Sequence, residues 1–276
     1  MKRFLKSVGL ATMFVFAFAV CMFAVGAAFS IFAFPMPADV SYMMQYFCSM
    51  FAVYGIALLI ERVAFKRVLP VYNARQGFDP ITLLLGVVLI VSISVVLLPL
   101  ESVLPPYENT FPEGSCTLIL VVVLAPIFEE MIFRARLYNI LSRNTSPLVS
   151  AALSAAAFGA LHMQPIVIVE ALVVGVVFSY FYLSKRSIFT PIILHMLNNA
   201  VAYALVVLSY RGESFRAIVG GGEMQITVYV VCTVIMVCGA VVILRFFIKE
   251  KRRTRGVECQ DMETLAEHHD PDQLAE

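Results

Sequence analysis

Eight apolar runs, separated by short polar connectors, fill most of this chain. They cover 8–34, 41–60, 81–104, 116–141, a stretch from Pro147 to near His162, 166–183, 188–208 and 225–248. A helix needs about 20 apolar residues to cross the hydrocarbon of a bilayer, and each run comes near that length, the fifth being the shortest. Prolines close several of them: Pro35 and Pro37 after the first, Pro105-Pro106 after the third, Pro165 after the fifth. The first run follows Met1-Lys2-Arg3 as the core of a signal peptide would. It is much longer than the roughly 7–15 apolar residues of a cleavable one, so it reads as a transmembrane helix. The pattern predicts an all-α, polytopic membrane protein with about eight transmembrane helices. Three helices fall in residues 1–115, four in 116–210 and one in 211–250. Residues 251–276, acidic towards the end and poor in large apolar side chains, read as a disordered cytoplasmic tail.

Charge tests the count. With the N-terminus cytoplasmic, the inner segments hold 18 of the 20 Lys and Arg, and the outer ones keep only Arg211 and Arg216. Positive charge stays on the cytoplasmic side during insertion, and a missed or invented helix would scramble this alternation. Both termini are therefore expected in the cytoplasm, with the cell membrane as the site. Composition agrees: 61% of residues are hydrophobic and 14% charged, against roughly 45–50% and about 25% in soluble domains. A net charge of +1, with no basic patch interleaved with aromatics, gives no reason to expect a nucleic-acid partner. Cys21, Cys48, Cys232 and Cys238 lie in apolar runs and no C-x-x-C pair occurs, so neither a disulfide framework nor a zinc knuckle is inferred.

Against this background a few polar residues stand out. A charge at the centre of a membrane helix costs about 2.5–3.5 kcal/mol on insertion scales, so each needs a reason. The fourth run carries Glu129, Glu130 and Arg134; the fifth ends Phe158-Gly-Ala-Leu-His162; the sixth holds Glu170; the seventh holds His195, Asn198 and Asn199. At about 1.5 Å of rise per residue, Glu129, His162 and Asn199 each lie roughly 20 Å from the cytoplasmic end of their helix. His195 and Asn199, four apart, share a helix face. A polar cavity inside the membrane is the expected result. Each group also has a plainer reading. Glu130 and Arg134, at i and i+4, can neutralise each other, and a membrane histidine can be a helix-to-helix hydrogen bond. Asn198, rotated off the His195 face, suits packing or capping. Glu170 is open to three readings: protonated, orienting a histidine, or facing a cavity. Glu129 has only Ala125 and Phe133 as its neighbours four residues away, so no partner on its own helix explains it.

A carboxylate and two imidazoles in a low-dielectric site suit hydrolysis. Glu129 with His162 can activate a water, and His195 with the Asn199 amide can donate to an oxyanion. The same set, with His162, His195 and Glu129 as ligands, can instead hold zinc to acidify the water, although H-E-x-x-H is absent. In order, Glu129-Glu130-x-x-x-Arg134, Phe158-x-x-x-His162 and His195-x-x-x-Asn199 resemble the three motifs of the CPBP intramembrane proteases, which include the type-two CAAX prenyl endopeptidases and the bacterial Abi proteins. Gly175 and Ser187-Ile-Phe-Thr-Pro191-Ile also fit the resemblance, which spans about residues 115–205 and makes 116–210 the catalytic core. It implies an intramembrane endopeptidase in which Glu129 is the general base, Glu130 its partner, and Arg134 and Phe158 supports. His162 would help to activate the water; His195 and Asn199 would stabilise the oxyanion. The family carries a metalloprotease label, yet its side chains work chemically without metal, so the cofactor stays open between none and zinc. The implied partner is a membrane-associated protein or peptide within the bilayer, and Abi-type relatives suggest a bacterial source and roles in bacteriocin maturation or immunity. Two other classes compete. One is a non-proteolytic immunity or scaffold protein; the other is a proton-coupled transporter, against which no inverted repeat is seen.

Overall fold

The computed structural model describes residues 2–32, 35–72, 79–105, 111–210 and 222–267. Among them it is all helix: α1 (Lys2–Phe32), α2 (Ala38–Phe65), α3 (Pro80–Leu97), α4 (Ser115–Leu141), α5 (Pro147–Ala160), α6 (Pro165–Lys185), α7 (Phe189–Tyr210) and α8 (Glu223–Glu267). Six are long and apolar enough to cross a membrane. The other two, α5 with 14 residues and the Phe189–Leu205 part of α7, are shorter apolar helices. The fold is that of a multi-pass membrane protein.

Proline and capping chemistry set several boundaries. Asp79 caps α3, accepting from the Ile81 and Thr82 amides and the Thr82 hydroxyl, with Pro80 at the first helical position. The Thr82 hydroxyl bond, then the two amides and nearby Lys185, hold the Asp79 carboxyl below its usual range. The third run ends earlier than 104. Pro99 has no N–H to continue the ladder, and the chain tightens into a 3-10 turn over Leu98–Ser102. Pro126 acts similarly inside α4. Without its N–H, the preceding turn widens into π-helix over Leu120–Leu124, with the Ala125 amide reaching back to the Leu120 carbonyl. A second π segment spans Phe133–Tyr138. There the Phe133 and Ala135 carbonyls accept from Ser154 Oγ (2.8 Å) and Asn139 Nδ2 (2.8 Å).

Two corrections concern ends. His162 is not in a helix: α5 stops at Ala160, and His162 sits in the turn before α6. Pro165 forces Gln164 into an extended conformation (φ −102°, ψ 127°), so α5 cannot run on into α6. Residues 251–267, where the sequence suggests a disordered tail, continue α8. Between Lys249 and Glu267 there is one glycine, Gly256, and no proline, and most of the charged side chains there are good helix formers. Residues 268–276 of the expected tail lie outside the described residues.

α4 is the axis of the bundle, because its two sides feed two apolar cores. Ile132, Phe133, Leu137 and Leu141 pack with Phe14, Phe18, Met50 and Val53 of α1 and α2. Ala135 and Tyr138 join the core built by α3, α6, α7 and α8. Lipid tails are as apolar as these side chains, so close approach of small residues does much of the joining. Between α5 and α6, a Cβ on Gly159 would lie 2.9 Å from the Ile168 carbonyl, and one on Gly175 would lie 2.9 Å from Ala155 Cβ.

Candidate active site

The eight residues of α4 between the two π segments carry Glu129 and Glu130 on adjacent positions, so their side chains leave the helix about 100° apart. Glu130 points into the bundle and is fully buried, as is Arg134 one turn on. Arg134 Nη1 donates to Glu130 Oε1 at 2.9 Å, the i, i+4 pair expected from the sequence. Its Nη2 donates to the Gly175 carbonyl of α6 at 3.3 Å. The guanidinium lies over the rings of Phe158 and Phe178, 4.6 and 5.3 Å from their centroids, replacing lost hydration by aromatic faces. Glu130 has a second partner. His195 Nδ1 of α7 lies 2.9 Å from the same Oε1, so Glu130 joins α4 to α7 as well as balancing Arg134.

Glu129 takes its partners from two other helices. Tyr46 of α2 donates its hydroxyl to Glu129 Oε1 at 2.6 Å. His195 Nε2 faces Glu129 Oε2 at 3.6 Å, too far for a good hydrogen bond. His195 is therefore held between the two carboxylates, one on each ring nitrogen. Phe178 stacks on its ring at 4.9 Å and Phe158 meets it edge-on at 5.7 Å. The side chains of Glu130, His195 and Glu129 are 0%, 5% and 15% exposed, so the polar region is a packed cluster of touching groups.

His162 and Asn199 lie at its edges. The His162 ring packs against Phe158 at 4.8 Å, the same phenylalanine that touches His195. His162 Nδ1 lies 3.0 Å from the Phe158 carbonyl, freed by the end of α5. Donation to that carbonyl leaves Nε2 with a lone pair. Asn199 donates one amide hydrogen to the Val121 carbonyl (2.9 Å), inside the first π segment of α4, and accepts from Asn198 (3.3 Å). Its second amide hydrogen remains for another acceptor. Asn198 thus positions Asn199 and also edges a small groove between α3 and α7, lined by Val87, Ile90, Val91, Leu194, Leu197 and Val201. Glu170 belongs elsewhere: it accepts from the Ser94 hydroxyl of α3.

Among the described residues no group of three or more His, Cys, Asp or Glu side chains is placed to hold a metal. His195 Nδ1 lies against Glu130 and His162 Nδ1 against the Phe158 carbonyl, so in each ring Nε2 is the nitrogen turned to the site. Residues 112–201 match the family model described as type II CAAX prenyl endopeptidase Rce1-like. That match spans 90 of the 276 residues, about a third of the chain, and makes this segment similar to the family. No curated protein and no solved structure matches the chain. The Rce1-like segment holds Glu129, Glu130, Arg134, Phe158, His195 and Asn199 on α4, α5 and α7, and His162 in the turn between α5 and α6. The likeness of this segment supports a CAAX-type intramembrane endopeptidase in general terms. Tyr46 lies outside the Rce1-like segment and was missed from sequence, because a tyrosine in an apolar run is an ordinary amphipathic residue.

Proposed function

We propose that this protein cleaves a peptide bond of a membrane-associated protein or peptide with a water activated by Glu129, without a metal. The observation that carries the reading is the position of Glu129. One of its oxygens is held by Tyr46 and the other faces His195 without a hydrogen bond, beside a fully buried Glu130–Arg134 pair. Glu129 Oε2 takes a proton from water as the hydroxide adds to the scissile carbonyl carbon. His195, with Glu130 as counter-ion on Nδ1, presents Nε2–H to the developing oxyanion, and the free Asn199 amide hydrogen is the second donor. His162 accepts the other water hydrogen through Nε2 and so orients the nucleophile. When the C–N bond breaks, Glu129 returns its proton to the leaving amine. Glu130 and Arg134 touch no reacting atom and act as positioning residues; Phe158 keeps both imidazoles in place. The retention of positive charge in the inner segments supports a cell-membrane setting with both termini cytoplasmic.

The test is Glu129→Gln in the full chain, reconstituted in vesicles with membrane-anchored reporter peptides, one prenylated on a cysteine three residues from its C-terminus. Loss of a general base costs roughly 10²–10⁴-fold in rate. The expected result is a loss of that size with unchanged insertion and thermal unfolding. Cleavage at the native rate by Glu129→Gln would overturn the assignment.

A further inference from the structure

The cytoplasm-directed end of α8 carries more positive charge than any other described segment, and the bundle does not neutralise it. Arg245, Lys249, Lys251, Arg252 and Arg253 fall within nine residues, with one acid among them, Glu250. That acid is turned inward: its side chain is 13% exposed and pairs with Arg186 at the end of α6, with Arg253 at 3.9 Å on its outer side. Arg245, Lys249, Lys251 and Arg252 are exposed, and none has an ion-pair partner among the described residues.

The helix also fixes what these side chains face. Within the apolar span, Val234, Val237, Val241, Leu244 and Ile248 repeat at three and four residues and are 44–56% exposed, a stripe left to lipid by the rest of the bundle. α8 continues unbroken past Ile248, so the next positions on that stripe are Lys251 and Arg252, flanked by Arg245 and Lys249. The face that meets acyl chains thus turns basic about one turn later, at headgroup depth, with flexible stems able to reach along the interface.

We propose that this end of α8 is a binding surface for anionic phospholipid headgroups. The chemistry sought is a phosphate diester with net negative charge, as in phosphatidylglycerol. A zwitterionic headgroup brings its own ammonium and gains little. Attraction near a charged surface is about fivefold in affinity per basic side chain and is screened by salt.

The experiment titrates the purified full chain in a neutral detergent with fluorescent phosphatidylglycerol and, separately, fluorescent phosphatidylcholine. At 50 mM salt the wild type should prefer phosphatidylglycerol by about tenfold or more, the preference fading by 500 mM. The combined variant Lys249→Gln, Lys251→Gln, Arg252→Gln, Arg253→Gln should lose it, while exchanging each of the four for the other basic residue should keep it. Equal binding of the two lipids by the wild type, or a preference that salt does not touch, overturns the proposal even if the glutamine variant fails to insert. Retained preference in a folded glutamine variant does the same. Displacement of the lipid by inorganic phosphate or an acidic peptide at matching concentration would show a site for free anions instead, and would also overturn it.

Discussion

The hydroxyl of Tyr46 is a single donor group, but it fixes which oxygen of Glu129 is left to act. With Oε1 accepting from Tyr46 at 2.6 Å, the carboxylate cannot rotate freely, and Oε2 stays turned towards His195. Orientation of this kind is a large share of what a catalytic site supplies, and small misplacements of a reacting group lower rates steeply. Tyr46→Phe keeps the ring and its packing and removes only the donor. The expected outcome is a fall in kcat of roughly 10- to 150-fold with KM close to native, because a hydrogen bond to a charged acceptor is worth about 1.5–3 kcal/mol and the hydroxyl need not touch substrate. Steady-state cleavage of a reporter peptide in vesicles checks it. A rise in KM at constant kcat would mean that Tyr46 meets the substrate rather than the base. Glu129 itself was legible in the sequence because a carboxylate in an apolar run without an i±4 partner demands an explanation. Its partners were not legible, since they come from α2 and α7 and only packing brings those helices to α4.

Among elements, the close pairing of α5 and α6 keeps the site's aromatic and guanidinium layer together. Gly175 is one of the two tight points of that pairing. A Cβ there would lie 2.9 Å from Ala155 Cβ and 3.1 Å from Arg134 Nη2, while the Gly175 carbonyl accepts from the same guanidinium. Gly175→Ala must therefore part the helices or shift Arg134, and overpacking of this kind costs about 1–3 kcal/mol. Thermal unfolding in detergent should fall accordingly, and cleavage should fall with it because Arg134 holds Glu130 and Glu130 holds His195. A variant with native stability and activity would show that the interface yields without strain. At this scale the sequence was informative about which runs are helices and about their order, because hydrophobic length is set by the bilayer. It was less informative about ends. The apolar run up to His162 hid the stop at Ala160 that Pro165 and an extended Gln164 impose, and acidic composition after Arg255 hid the continuation of α8. The π segments on either side of Glu129 leave only a faint trace, Pro126, in the residue pattern.

Across the whole molecule, α2 grips the Rce1-like core at two points along α4, although α2 lies outside the matched residues. One point is Tyr46 on Glu129. The other is Glu61, fully buried, paired with Arg136 at 3.0 Å. Glu61 also accepts from the Leu69 amide (2.8 Å), and Arg136 donates to the Leu69 carbonyl (3.0 Å) and to the Tyr54 hydroxyl (3.2 Å). This second point does not touch the reacting groups, so it separates stability from chemistry. Removing one partner of a buried ion pair leaves an uncompensated charge and costs about 3–5 kcal/mol, whereas replacing both by apolar side chains is often neutral or better. Here the double replacement also strands the Leu69 amide and carbonyl, at about 1–3 kcal/mol for each unpaired group. Arg136→Met alone should therefore lower stability by about 3–5 kcal/mol, and adding Glu61→Met should restore only part of that loss. Unfolding of the wild type, both single variants and the double variant in detergent checks the order. Cleavage per folded molecule should stay near native throughout, since Glu129, His195 and Asn199 keep their partners. A large loss of cleavage in the folded Glu61→Met, Arg136→Met protein would mean that α2 sets the site through its whole length rather than through Tyr46.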